Sequence, residues 1–214
     1  MTPAARVSAA IAVLDSILAG APAEQVLINW GRASRFAGSG DRNAVRDLVY
    51  DALRCLRSYA ALGGAKTGRG LMLGALRMAG TDPATLFSGI GHAPPPVTAD
   101  EAGRAPENAE SLDLPDWLVP QMAESLGPDL EAVAQALRQR APVFLRVNLR
   151  RATMAQAITA LGAEQIVAQP HPLADTALEV TSGARKIQTS RAYLTGVVEL
   201  QDAASQAVVN ALLL

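Results

Sequence analysis

One cysteine, two histidines and 4% aromatic residues in 214 make this sequence poor in the side chains that most often carry chemistry. Cys55 has no partner for an internal disulfide, which argues for a reducing compartment. His92 and His171 stand alone, so no metal-ligating cluster can be drawn and no Ser/His/Asp set assembled. There is no GxGxxG after a strand and no GxxxxGK[ST]. No apolar run reaches the ~18 uninterrupted residues of a membrane span, and Asp15 breaks the apolar N-terminal stretch. Together these absences predict a cytoplasmic protein with no metal site, no catalytic residues and no membrane partner. Excess charge is also missing. Lys+Arg number 19 against 20 Asp+Glu, for a net −1 and a pI of 6.1, so nucleic-acid binding would have to come from local patches.

What is present is a globular composition, 50% hydrophobic and 18% charged, long enough for one or two domains. The first ninety residues read as helices. Ala5 to Leu18 repeats apolar residues at helical spacing until Gly20, and Pro22 opens a second helix, Glu24 to Arg35. "SGDRNAVRDLVYDALRCLRSYAALGG" reads as one long helix. Val45, Leu48, Val49, Ala52 and Leu56 fall on one face, with Arg42, Arg46, Tyr50, Arg54 and Arg57 on an adjacent arc. A further helix covers Arg69 to Ala79, and a short one follows Pro83.

Residues 91–111 lose the hydrophobic period and are rich in proline, alanine and acid, which predicts a linker. Residues 112–140 read as two short connecting helices. From Ala141 the period becomes alternating. "VFLRVNLRR" puts Val143, Leu145, Val147 and Leu149 on one face and Phe144, Arg146, Asn148 and Arg150 on the other. A helix ending at Gly162, a strand "TALEV", a turn into another strand at "SGARKIQTS", and a last strand "GVVEL" follow. The fold class is α+β, with an all-α part first and a small α+β sheet layer over 141–214.

Three features are candidates for function. The arginine stripe with Tyr50 could hold a phosphate backbone; its rival is a solvated face partly neutralised by Asp47 and Asp51. Phe144, Arg146 and Asn148 would supply a ring, a cation and a two-way hydrogen bonder to single-stranded RNA, or would line a merely wet sheet face. Gln201, Asp202 and Ser205 meet where a strand turns into a helix, and capping by Asp202 alone explains much of that cluster.

"LPDWLVPQMAESLG", "RAPVFLRVNLRRATMAQAITALGA", "PHPLADTALEV" and "GVVELQDAASQAVVNALLL" follow one another in an order and spacing that resembles the Sun/Fmu-type (NOL1/NOP2/Sun) RNA cytosine-5 methyltransferases. "GDRNAVRDLVYDALRCLRSY" looks like the NusB-type helical RNA-binding domain that precedes bacterial members. The resemblance implies a NusB-like domain over 1–90 and an RRM-like domain over 141–214 that leads into a methyltransferase domain absent here. The helix ending on three leucines fits a chain that stops before that domain. In the family, one cysteine thiolate attacks C6 of cytosine so that C5 takes the methyl group of S-adenosylmethionine, and a second cysteine assists release. Cys55 lies in the wrong motif for either role.

The expectation is therefore an RNA-recognition portion, inactive alone and with no cofactor of its own. Its partners would be small-subunit ribosomal RNA and its own C-terminal methyltransferase domain. Arg42, Arg46, Arg54, Arg57, Phe144, Arg146, Asn148 and Arg150 would contact RNA. Gln201, Asp202 and Ser205 would border the cofactor domain. The competing reading is a stand-alone NusB-like module acting in transcription antitermination or ribosome assembly.

Overall fold

A computed structural model describes residues 1–212. Leu213 and Leu214, two of the three leucines behind the expectation of an unfinished helix, lie outside the described residues. The chain forms two compact units, Met1–Arg140 and Ala141–Leu214.

The first unit opens with α1 (Pro3–Leu18), whose Thr2 hydroxyl accepts the Ala5 N–H as an N-cap. α2 (Ala23–Ala33), α3 (Ser39–Arg54), α4 (Leu56–Gly63) and α5 (Gly68–Met78) follow. Val45, Val49 and Ala52 bury the stripe read from the sequence against Leu14, Leu71, Leu73 and Phe87. The single long helix expected from Ser39 onward is instead two, broken at Cys55 (φ −108°, ψ 35°). The cause lies far along the chain. The Asp113 carboxylate accepts the N–H groups of Arg57 (2.9 Å) and Ser58 (2.8 Å), so it satisfies a second helix start where local sequence would continue the first.

α4 and α5 touch backbone to backbone. A Cβ added to Gly63 would lie 1.7 Å from the Gly70 carbonyl oxygen, and one on Gly74 would lie 2.0 Å from that of Tyr59. Only hydrogen fits at those positions.

The stretch 91–111, read from composition as a linker, is wound onto the helices. Arg69 grips Glu101 with two nitrogens (2.5 and 2.9 Å), donates to the carbonyls of Pro95 and Pro96, and lies over the Phe87 ring at 4.9 Å. A lack of periodicity marked it as irregular, and irregular backbone can still be docked when a guanidinium satisfies its carbonyls. Residues 112–140 belong to the same unit, with α6 (Ala109–Leu112), α7 (Val119–Leu126) and α8 (Leu130–Arg138).

The Arg69 grip sets a pH dependence. Chiefly because it accepts hydrogen bonds from Arg69, the Glu101 carboxyl is held down to about 2 from its ordinary 4.5. A carboxyl depressed in the folded state contributes stability above pH 4.5 and loses it as pH falls toward 2. Partial exposure and screening reduce the effect to about 1–2 kcal/mol. Urea unfolding at pH 7 and pH 3 should show this loss in the native protein, and Arg69→Gln should flatten it.

In the second unit the order is β1 (Val143–Val147), α9 (Met154–Ala163), β2 (Val167–Pro170), β3 (Ala177–Ser182), α10 (Arg191–Leu194), β4 (Val198–Leu200) and α11 (Ala203–Ala211). The four strands run in spatial order β2-β3-β1-β4 with every neighbour antiparallel, the βαββαβ arrangement of RRM-like and ferredoxin-like domains. Leu145 and Val147 face the helices and pack with Leu161, Ile166, Leu178, Ile187 and Val198.

Three sequence expectations need correction here. β2 was not foreseen, because four residues at a sheet edge carry almost no alternation. "SGARKIQTS" forms a 3₁₀ turn over Ala184–Thr189 instead of a strand, seating Ile187 in the core. Leu149, expected on the core face, is 58% exposed, because β1 ends at Val147 and the Asn148 side chain turns the chain by accepting the Arg150 N–H (3.2 Å). The same turn takes Arg150 off the sheet face.

Candidate nucleic-acid interface

The helical arginines separate by partner. Arg46 pairs with Glu24 at 3.3 Å, and the Tyr50 hydroxyl donates to the same carboxylate at 2.6 Å, which pushes the phenol pKa up. Arg54 pairs with Asp51 and donates to the Arg138 carbonyl at 3.0 Å. Arg57 donates to the Leu114 carbonyl and to both oxygens of Asp116 (2.9 and 3.1 Å). Arg54 and Arg57 thus fasten α3 and α4 to the 111–138 stretch.

Arg42 alone of the four has no hydrogen-bond or ion-pair partner for its guanidinium among the described residues. Its stem lies over α2, with Cδ 3.8 Å from where a Cβ on Gly31 would sit. Arg32 and Arg35, at the end of α2, are exposed and equally unpaired among the described residues. Reading the α3 stripe missed them because they precede that helix. The signal was the segment "RASRFAGSG", which holds two arginines and no acid.

On the sheet, Phe144 and Arg146 share the face turned away from α9 with Glu179 and Glu199, their register partners. Arg146 lies 3.3 Å from Glu199. The Phe144 ring packs on Ala174, Ala177 and Ala203 and meets His171 edge-on at 5.0 Å, so it is partly covered instead of open for a base. One arginine beside two glutamates gives this face no pull on phosphate. Arg150, in the turn after β1, makes no side-chain hydrogen bond or ion pair among the described residues, and neighbouring Arg151 donates to the Thr195 carbonyl at 2.6 Å.

At the β4–α11 junction Asp202 caps its own helix by accepting the Ala204 N–H (2.8 Å), and Ser205 is exposed. The Gln201 side-chain oxygen is buried without a partner. Gln206, not anticipated, is 2% exposed; it donates to the Leu145 and Gln201 carbonyls and accepts from the Thr176 hydroxyl at 2.8 Å. That glutamine anchors α11 to the sheet.

Cys55 is 8% exposed, and burial pushes its thiol pKa up, opposite to what a nucleophilic thiolate needs. Among the described residues no group of three His, Cys, Asp or Glu could hold a metal ion, and no helix is long and apolar enough to cross a membrane.

Against this geometry, residues 114–186 match the family model described as Methyltr_RsmF/B-like, ferredoxin-like domain. This stretch resembles an RsmF/B-like ferredoxin-like domain. The match supports the Sun/Fmu-type resemblance read from the sequence and agrees with the βαββαβ order of the second unit. Among solved structures, the crystal structure of PH0851 is similar to the whole chain at 18% identity with a TM-score of 0.63, a likeness of fold. The alignment covers 100% of this chain and 56% of PH0851, so this chain spans little more than half the length of that relative. No curated protein matches the chain. The RsmF/B-like domain begins at the residue after Asp113, inside the helical unit.

Proposed function

We propose that this chain is the RNA-recognition portion of an S-adenosylmethionine-dependent ribosomal RNA cytosine-5 methyltransferase acting on small-subunit RNA. The observation that carries the reading is the RsmF/B-like match over residues 114–186, supported by the four-stranded antiparallel topology of the second unit. Recognition by phosphate contact falls to guanidiniums free to leave water, Arg150 after β1 and Arg42 on α3. Asn148 makes the turn that presents Arg150, Arg146 stands two positions before it, and both would guide the strand. Arg46 would contribute once released from Glu24. Arg54 and Arg57 act through the fold.

The chain on its own transfers no methyl group in this reading, since its one cysteine is buried with a raised pKa. Incubation with labelled S-adenosylmethionine and small-subunit RNA should leave the RNA unlabelled.

Binding of the chain to a panel of small-subunit ribosomal RNA hairpins, followed against salt, tests the reading. Affinity should fall linearly in log–log form. Arg150→Ala should weaken all hairpins alike and reduce the salt slope by about 1, the signature of one lost phosphate contact. Arg146→Ala/Asn148→Ala should weaken the preferred hairpin more than the others. Absence of any salt-dependent RNA binding overturns the proposal.

A further inference from the structure

We propose that the helical unit holds a separate site for one unstacked base of single-stranded RNA, in the cleft between the start of α1 and the loop joining α2 to α3. Arg32, Arg35 and Arg42 would take the flanking phosphates. The inference rests on the RNA-binding reading above and adds a base pocket to it.

The cleft has a volume of about 780 Å³ and is walled by Trp30, Phe36 and His92, with Ser8 and Thr2 on the α1 side. That volume falls within the roughly 300–1,000 Å³ of small-molecule sites. In a chain only 4% aromatic, two of its eight Phe, Trp and Tyr residues meet here, with a histidine beside them.

Phe36 is 76% exposed at the tip of the loop, where nothing in the fold requires a ring. A phenyl group held in water beside a roomy cleft is suited to stacking on a planar partner. The Trp30 indole N–H makes no hydrogen bond among the described residues, and the Ser8 hydroxyl is likewise uncommitted, so each is available to the polar edge of a base.

Charge decides what kind of planar partner fits. The three arginines flank the loop in the chain: Arg32 lies near the end of α2, Arg35 precedes Phe36, and the Arg42 stem lies over Gly31, between Trp30 and Arg32. All three lack an acidic partner among the described residues. The neighbouring carboxylates in sequence are already engaged, Asp41 by the Met1 ammonium at 3.1 Å and by Arg6 at 2.8 Å, and Glu24 by Arg46 and Tyr50. An apolar peptide would leave these cations unanswered. A polymer that alternates flat rings with phosphates answers both the rings and the cations.

The test uses the full chain and a fluorescently labelled single-stranded RNA octamer, with binding read by anisotropy against salt. Phe36→Ala, at an exposed position that should not disturb folding, is expected to weaken binding about tenfold with the salt slope unchanged, as loss of one stacked base requires. Arg35→Ala/Arg42→Ala is expected to lower the slope by about 1.4, two phosphate contacts on a single strand. An octamer carrying 4-thiouridine should crosslink to peptides containing Trp30 or Phe36. If Phe36→Ala binds as the unaltered chain does while Arg150→Ala weakens binding, the RNA reading stands and the base site falls. If the unaltered chain binds no RNA, both fall. If Phe36→Ala loses affinity but the double arginine variant keeps its full salt slope, Arg35 and Arg42 take no phosphates and the proposed arrangement of base and flanking phosphates is wrong.

Discussion

Asp113→Ala should destabilise the helical unit by about 3–5 kcal/mol, the range for removing one partner of a buried, hydrogen-bonded ion pair. The carboxylate accepts from the N–H groups of Arg57 and Ser58 and from the Ser58 hydroxyl at 2.7 Å, and its side chain is 2% exposed. Arg138 Nε lies 2.9 Å from it, an ion pair out of line for a hydrogen bond. Without the carboxylate, the first amides of α4 lose their acceptor and a mostly buried guanidinium loses its counter-charge. Alanine would also have to adopt φ +55°, the left-handed region, at a cost of about 1 kcal/mol or more. Asparagine tolerates that backbone and keeps an acceptor, so Asp113→Asn should recover part of the loss. Both tryptophans, Trp30 and Trp117, lie in the helical unit, so urea unfolding followed by their fluorescence reports on it alone. A loss under 1 kcal/mol in Asp113→Ala would mean that the break at Cys55 has another cause.

An effect of similar size is expected at the glycine seam. Gly74→Ala places a methyl group 2.0 Å from the Tyr59 carbonyl oxygen and 2.7 Å from its Cα, both backbone atoms that cannot swing away. The helices must separate, and the loss should exceed about 3 kcal/mol, beyond ordinary overpacking. The opposite sign is expected in the other unit. Gly162 lies within α9 with nothing inside 4 Å of an added Cβ, so Gly162→Ala should stabilise that unit by up to about 1 kcal/mol through helix propensity. Circular dichroism melts of the two variants, one falling and one rising, would check the pair.

The parts legible in the sequence depend on neighbours within a few residues. Alternation in "VFLRVNLRR" placed Leu145 and Val147 in the core, and helical spacing placed Val45, Val49 and Ala52 there. The break at Cys55 was not legible, because it is made by a carboxylate more than fifty residues away. The same limit applied to the candidate interface. Helical spacing picked out Arg42, Arg46, Arg54 and Arg57 equally, but Glu24, Asp116 and two distant carbonyls, which periodicity cannot see, engage all but the first. Phe144 was expected as an open ring, and its cover comes from Ala174, Ala177 and Ala203, three small residues with no signal of their own.

Arg57 also bears on where such a chain can be divided. Its holdfasts, the Leu114 carbonyl and Asp116, fall inside the stretch that matches the RsmF/B-like family model, whereas Arg57 and Asp113 fall outside it. A gene segment copied from residue 114 onward would carry off the receptor for a guanidinium left behind. It would also abandon the carboxylate that opens α4. The stretch that matches the family model therefore does not coincide with either compact unit.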